Sequence, residues 1–272
     1  MNNFFKRTLT AGAFVAVLLG CTFYNQLSFS ILFLMVTVLG LLEFYSLSEK
    51  ANAKPLKIVG TAIGALFFAL NTAVCMNVFK YQIVLIFIPI IFLVFIIELF
   101  LKKENPFSNI AFTFLGIIYV AFPLSLLNYI LTYSGTYSHE LLFGIFFIIW
   151  SNDSGAYLAG VTLGKHKIFP RVSPKKSWEG SIGGTLAGFL VAFIISGWYT
   201  SIQFADWMVI AAILIVMGTL GDFVESLFKR SVDIKDSGNI LPGHGGILDR
   251  FDSLIMAIPF VFTYLYLMKH FA

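Results

Sequence analysis

Nine apolar stretches, most of them long enough to cross a bilayer, dominate the chain and leave it few ways to fold. A helix needs ~20 apolar residues to span the hydrocarbon core. Stretches of this kind lie near 9–25, 27–47, 58–79, 81–101, 109–132, 140–163, 179–200, 206–228 and 251–270. The first is short, and polar residues interrupt the sixth. Only 12% of the 272 residues are charged, against ~25% in a soluble domain. The pattern predicts an all-α, polytopic integral membrane protein with about nine transmembrane helices. No linker-like stretch interrupts the hydropathy. Residues 1–272 therefore read as a single integral membrane domain, with N-terminal helices over 1–140 and a second group of helices and polar loops over 141–272.

Lysine and arginine set the orientation. With the N-terminus in the cytoplasm, sixteen of the eighteen basic residues fall on cytoplasmic segments, and only Lys80 and Lys269 fall outside. Losing or adding one span scrambles that alternation. Both long polar segments, 164–178 and 229–250, then face the cytoplasm. Because the basic residues flank spans rather than forming one face, nucleic acid is not an expected partner. Cys21 and Cys75 sit in apolar runs and read as buried packing residues rather than a disulfide or metal pair. Lys6 and Arg7 ahead of Leu18-Leu19-Gly20-Cys21 resemble a lipoprotein-type signal, but a first membrane helix is the reading adopted.

Ionisable groups inside spans are costly and mark function by default. Glu43 and Glu98, near the cytoplasmic ends of the second and fourth spans, read as snorkelling side chains or partners of a nearby lysine. In the sixth span, Ser151-Asn152-Asp153-Ser154-Gly155 cannot face lipid. It is either a ligand- or ion-facing break or a polar patch between helices. The eighth span ends with Asp222, Glu225, Ser226 and Lys229 at i, i+3, i+4 and i+7, one face of a helix. Two carboxylates and a hydroxyl suit a hard cation such as Mg²⁺; a salt-bridge stripe is the plainer reading. Asp249 and Asp252 open the ninth span, where capping and the helix dipole would also account for them. If the eighth and ninth helix ends lie side by side, Asp222 and Asp249 share one cation.

Two polar segments suit phosphates. Pro242-Gly243-His244-Gly245-Gly246 either exposes backbone amides to a ligand or is a flexible turn. Lys229, Arg230, Lys235 and Arg250 offer cations to phosphate or to anionic lipid. In Ser173-Pro174-Lys175-Lys176-Ser177-Trp178-Glu179-Gly180, Lys175 and Lys176 are candidate phosphate clamps, Ser177 a donor and Glu179 a metal or base partner. The same Ser177-Trp178-Glu179 also fits a plain helix start.

Residues 226–252 closely resemble the C-terminal motif of the phosphatidate cytidylyltransferases, or CDP-diacylglycerol synthases. Ser226, Lys229, Arg230, Lys235, Asp236, Pro242, His244, Gly245, Gly246, Asp249, Arg250 and Asp252 all stand at fixed positions of that motif. Residues 173–180 and Asn152-Asp153-Ser154-Gly155-Ala156-Tyr157 are similar to two further family stretches, with Ser177 where threonine is common. The resemblance implies a nucleotidyltransferase of phospholipid biosynthesis that converts CTP and phosphatidic acid to CDP-diacylglycerol and pyrophosphate. It implies an enzyme of the cell membrane whose active site faces the cytoplasm, with 141–272 as the catalytic part. On this reading Asp222 and Asp249 hold Mg²⁺, with a second cation nearby, and Asp153, Glu225 and Ser226 complete or orient the centre. Lys175, Lys176, Lys229, Arg230 and Arg250 grip phosphates, Ser177 and Glu179 contact substrate, and His244, Gly245 and Gly246 line the nucleotide side. A homodimer is also implied. The main rival, an ion-coupled transporter, calls for an internal repeat of the polar break, and the acids instead cluster in the C-terminal half.

Overall fold

The computed structural model describes residues 3–238 and 245–271, with side chains from residue 10 to residue 269. The described residues form α1 (Asn3–Tyr24), α2 (Gln26–Lys50), α3 (Lys57–Cys75), α4 (Phe87–Leu101), α5 (Pro106–Gly116), α6 (Phe122–Leu131), α7 (Glu140–Leu163), α8 (Trp178–Trp198), α9 (Phe204–Ser231) and α10 (Leu248–Phe271). A 3-10 turn, Tyr81–Ile86, leads into α4. A π turn, Ile117–Ala121, joins α5 and α6 into one span just ahead of Pro123, whose missing N–H and bulky ring disfavour a regular turn. Among the described residues, eight spans are long and apolar enough to cross a membrane, and residues 10–24 add a shorter apolar helix. The protein is an all-α, multi-pass membrane protein.

Only Asn25 separates α1 from α2. Its Oδ1 accepts the Ser28 N–H at 2.8 Å while Ser28 Oγ accepts the Asn25 N–H at 3.3 Å. This reciprocal cap starts a new helix within one residue. No disulfide joins Cys21 and Cys75, which are half-buried rather than buried.

The chain divides into two compact units: Met1–Tyr129 with Ser231–Arg250, and Ile130–Arg230 with Phe251–Ala272. In the first, the Tyr45 ring is fully buried against Gly60 and Gly116, and its hydroxyl donates to Thr113 O at 2.9 Å. Glu98 and Glu43 are buried at 1% and 6% exposure, so the snorkelling reading fails for both. Each finds a fixed polar partner in place of water: Asn109 Nδ2 donates to Glu98 at 2.6 Å, and backbone amides of Ile247 and Leu248 donate to Glu43.

In the second unit α7 and α8 make the most extensive helix pair. Lipid gives helices little hydrophobic reason to associate, so small residues that let backbones approach hold them together. A Cβ on Gly184 would lie 2.6 Å from Asn152 O, and one on Gly155 would lie 2.8 Å from Gly183 O. The polar run on α7 does not break the helix, which is continuous from Glu140 to Leu163. Asn152 packs on Gly184 and Gly188 of α8, and Asn152 and Asp153 line a cavity, so neither needs an unwound backbone to escape lipid.

Candidate active site

Segment 164–178 is not a plain loop. It folds into an antiparallel ribbon of β1 (Lys167–Phe169) and β2 (Ser173–Ser177). Ser177 ends the ribbon and starts α8. Its side chain is 2% exposed and accepts the Gly180 N–H at 3.2 Å, as an N-cap does. Glu179 ties the ribbon's base: its carboxylate accepts the Lys165 and His166 N–H groups at 3.1 and 3.2 Å and meets His166 Nδ1 at 2.6 Å. The ribbon then leans on α9 through an edge-to-face contact of Phe169 with Phe223, centroids 5.3 Å apart.

This placement carries Lys176 onto α9. Its Nζ sits 2.5 Å from Asp222 Oδ2 and 4.6 Å above the Phe223 ring. Ser226 Oγ donates to Asp222 Oδ1 at 3.1 Å, so the i, i+4 spacing read from sequence is a real contact. Gly221 has no room for a side chain, since a Cβ there would lie 2.6 Å from Asp252 O. The close crossing brings acids of α9 and α10 together: ligand oxygens of Asp222, Glu225 and Asp252 lie within 4.8 Å of one another. Glu225 is buried and forms a 2.5 Å ion pair with Lys229.

A cavity of about 610 Å³ opens beside this cluster, within the usual range for a small-molecule site. Asp153 and Tyr157 line it from α7, Lys175, Lys176 and Ser177 from the ribbon, and Asp222 from α9. Lys167 of β1 also lines it. Three carboxylates at this spacing repel one another unless cations intervene. An all-oxygen donor set is the chemistry that a hard divalent ion selects, so the residues fit such an ion.

A family model described as the cytidylyltransferase family matches residues 5–268. The chain belongs to the cytidylyltransferase family. Among similar proteins of that activity, the phosphatidate cytidylyltransferase of Haemophilus influenzae is 39% identical over 170 residues, covering 60% of this chain and 59% of that protein. The phosphatidate cytidylyltransferase of Bacillus subtilis is 41% identical over 165 residues, covering 59% of this chain and 60% of that protein. The matched part thus spans about six-tenths of the length of these curated relatives. Membership of a nucleotidyltransferase family agrees with a divalent metal at the acidic cluster.

The other sequence-derived candidates have partners of their own. Lys229 is mostly buried against Glu225, while Arg230 and Arg250 are exposed. Glu179 holds the ribbon base. Asp249, Gly245 and Gly246 belong to the first unit, where Asp249 Oδ2 accepts the N–H groups of Ser237 at 3.0 Å and Gly246 at 2.8 Å. His244 lies outside the described residues. Sequence reasoning did not assign Asp252 as a ligand, although its i, i+3 relation to Asp249 was visible. It counted Lys167 only as a topological charge, because the ribbon that turns this lysine toward the cavity has no strong strand signal.

Proposed function

We propose that this protein is a phosphatidate cytidylyltransferase of the cell membrane, one integral domain working on CTP and phosphatidic acid from the cytoplasmic side. An oxygen of the phosphatidate phosphate attacks the α-phosphorus of CTP, and pyrophosphate leaves in line. The bond formed and the bond broken are both phosphorus–oxygen bonds, and no covalent enzyme intermediate is required. The observation that carries the reading is the three-carboxylate cluster of Asp222, Glu225 and Asp252 beside a cavity lined by Lys167, Lys175 and Lys176.

Both substrates are polyanions, so positioning and charge neutralisation dominate the catalysis. Lys175 and Lys176 bind phosphate oxygens, and Lys176 is expected to exchange its contact with Asp222 for one with substrate. Ser226 orients the Asp222 carboxylate, and Asp153 adds a further acid on the same cavity. Asp222, Glu225 and Asp252 would hold Mg²⁺, which would supply Lewis-acid stabilisation of the phosphate charge. Asp249, Arg250, His244, Gly245 and Gly246 enter the reading through their motif, as groups required for turnover. A second cation and a homodimer belong to the same proposal. The names of the relatives and the family membership support the assignment.

The test is detergent-purified protein given labelled CTP, phosphatidate and Mg²⁺. Formation of CDP-diacylglycerol, with none from Asp222→Ala, is the expected result. No product from wild type across a range of Mg²⁺ and lipid concentrations would overturn the reading.

A further inference from the structure

The proposed chemistry gives Glu43 no task, and the motif resemblance stops well short of it in sequence. Yet this α2 side chain, 6% exposed, is a hub for residues some two hundred positions later. Its Oε1 accepts the Ile247 N–H at 2.9 Å. Its Oε2 accepts the Leu248 N–H at 3.0 Å and faces Ser237 Oγ at 3.3 Å. The first N–H groups of a helix have no partner within it, and Ile247, just ahead of α10, has no side-chain oxygen to cap them. The cap for α10 therefore comes from α2.

Ser237 links this cap to Asp249. Its Oγ lies 2.9 Å from Asp249 Oδ2, the same oxygen that accepts the Ser237 and Gly246 N–H groups. The glycines are fitted around the two acids. A Cβ on Gly238 or Gly246 would come within 2.5 Å of a Glu43 oxygen. Gly245 has φ +81°, and a Cβ there would come within 2.5 Å of Asp249 Oδ2. Among the described residues, the groups that hydrogen-bond to Glu43 are all donors. A carboxylate can accept on both oxygens, whereas the amide of glutamine would turn N–H groups toward one of them.

We infer that Glu43 is a positioning residue for the reaction: from α2 it fixes residues 237–238 and 245–249, and through them the Gly245-Gly246 turn and Asp249. This rests on the reading of that motif as part of the cytidylyl-transfer machinery.

The experiment uses the full chain in detergent and compares wild type, Glu43→Gln and Ser237→Ala. Two readouts are taken: trypsin cleavage after the exposed Lys235, followed by mass spectrometry, and kcat and KM for CDP-diacylglycerol formation. Glu43→Gln is expected to be cleaved about tenfold faster through local opening. Its kcat should fall roughly ten- to a hundredfold with little change in KM for phosphatidate, since misplacement of reacting groups acts on turnover. Ser237→Ala, which leaves α2 intact, should shift both readouts in the same direction by a few-fold, and it carries the test if Glu43→Gln does not fold. Unchanged cleavage and unchanged kcat in the folded variants would overturn the inference, as would faster cleavage with wild-type kcat. If wild type itself makes no product, the functional reading fails, and faster cleavage of the variants still reports the clamp.

Discussion

Glu43 in the first unit and Asp222 in the second are both acids set in membrane-spanning helices, yet they meet different partners. Glu43 is buried and receives backbone N–H groups that cannot leave. Asp222 is about one-third exposed and faces the ammonium of Lys176, at the end of a long flexible stem, and the hydroxyl of Ser226. Fixed amide donors make an acid structural. A mobile lysine on a cavity wall leaves an acid able to trade partners when a cation or phosphate arrives. The contrast teaches that burial of a carboxylate in a membrane protein does not by itself locate the chemistry; the mobility of its partners does.

Substitutions can break or sharpen this comparison. The largest expected effect is on turnover: Asp222→Ala should lower CDP-diacylglycerol formation by about 10³-fold or more while the thermal unfolding midpoint stays near wild type. Glu43→Ala should add a stability loss to its smaller loss of turnover. It strands up to three buried donors, at ~1–3 kcal/mol each, so unfolding should begin at clearly lower temperature. Next, Lys176→Ala should cost about tenfold to a hundredfold in kcat/KM for CTP, with Lys176→Arg recovering part of it. Ser226→Ala should have the smallest effect. Losing one hydrogen bond to Asp222 is worth ~0.5–1.5 kcal/mol and should appear as a few-fold rise in the Mg²⁺ concentration needed for half-maximal rate. Equal stability losses for Glu43→Ala and Asp222→Ala would erase the distinction between the two acids.

Much of the fold was legible in the chain. The apolar runs located every span to within a few residues, because length and hydropathy alone decide whether a helix can cross. The i, i+4 contact of Ser226 with Asp222 was likewise legible, since helix geometry fixes it. Four things were not. In the 167–177 ribbon, Pro170 and Pro174 interrupt a short run whose apolar residues, Ile168, Phe169 and Val172, do not alternate, so nothing local announces a strand. The continuity of α7 through Ser151–Gly155 depends on glycines of α8 that accept its backbone at close range, a tertiary fact. The burial of Glu43 depends on partners at 237, 247 and 248, and no pattern within α2 points to them. Asp252 shows the same limit: its spacing from Asp249 was visible, but its convergence with Asp222 and Glu225 follows from the close crossing at Gly221.

The central claim is that Asp222, Glu225 and Asp252 together hold a divalent ion. It is tested most directly by titrating Mn²⁺, as a spectroscopic stand-in for Mg²⁺, into detergent-purified wild type, Asp222→Asn and Asp252→Asn, with free ion read by electron paramagnetic resonance. Wild type should bind the ion, and each variant should bind it about tenfold more weakly or worse, because each removes one charged oxygen ligand from the set. Identical Mn²⁺ affinity in all three proteins would contradict it.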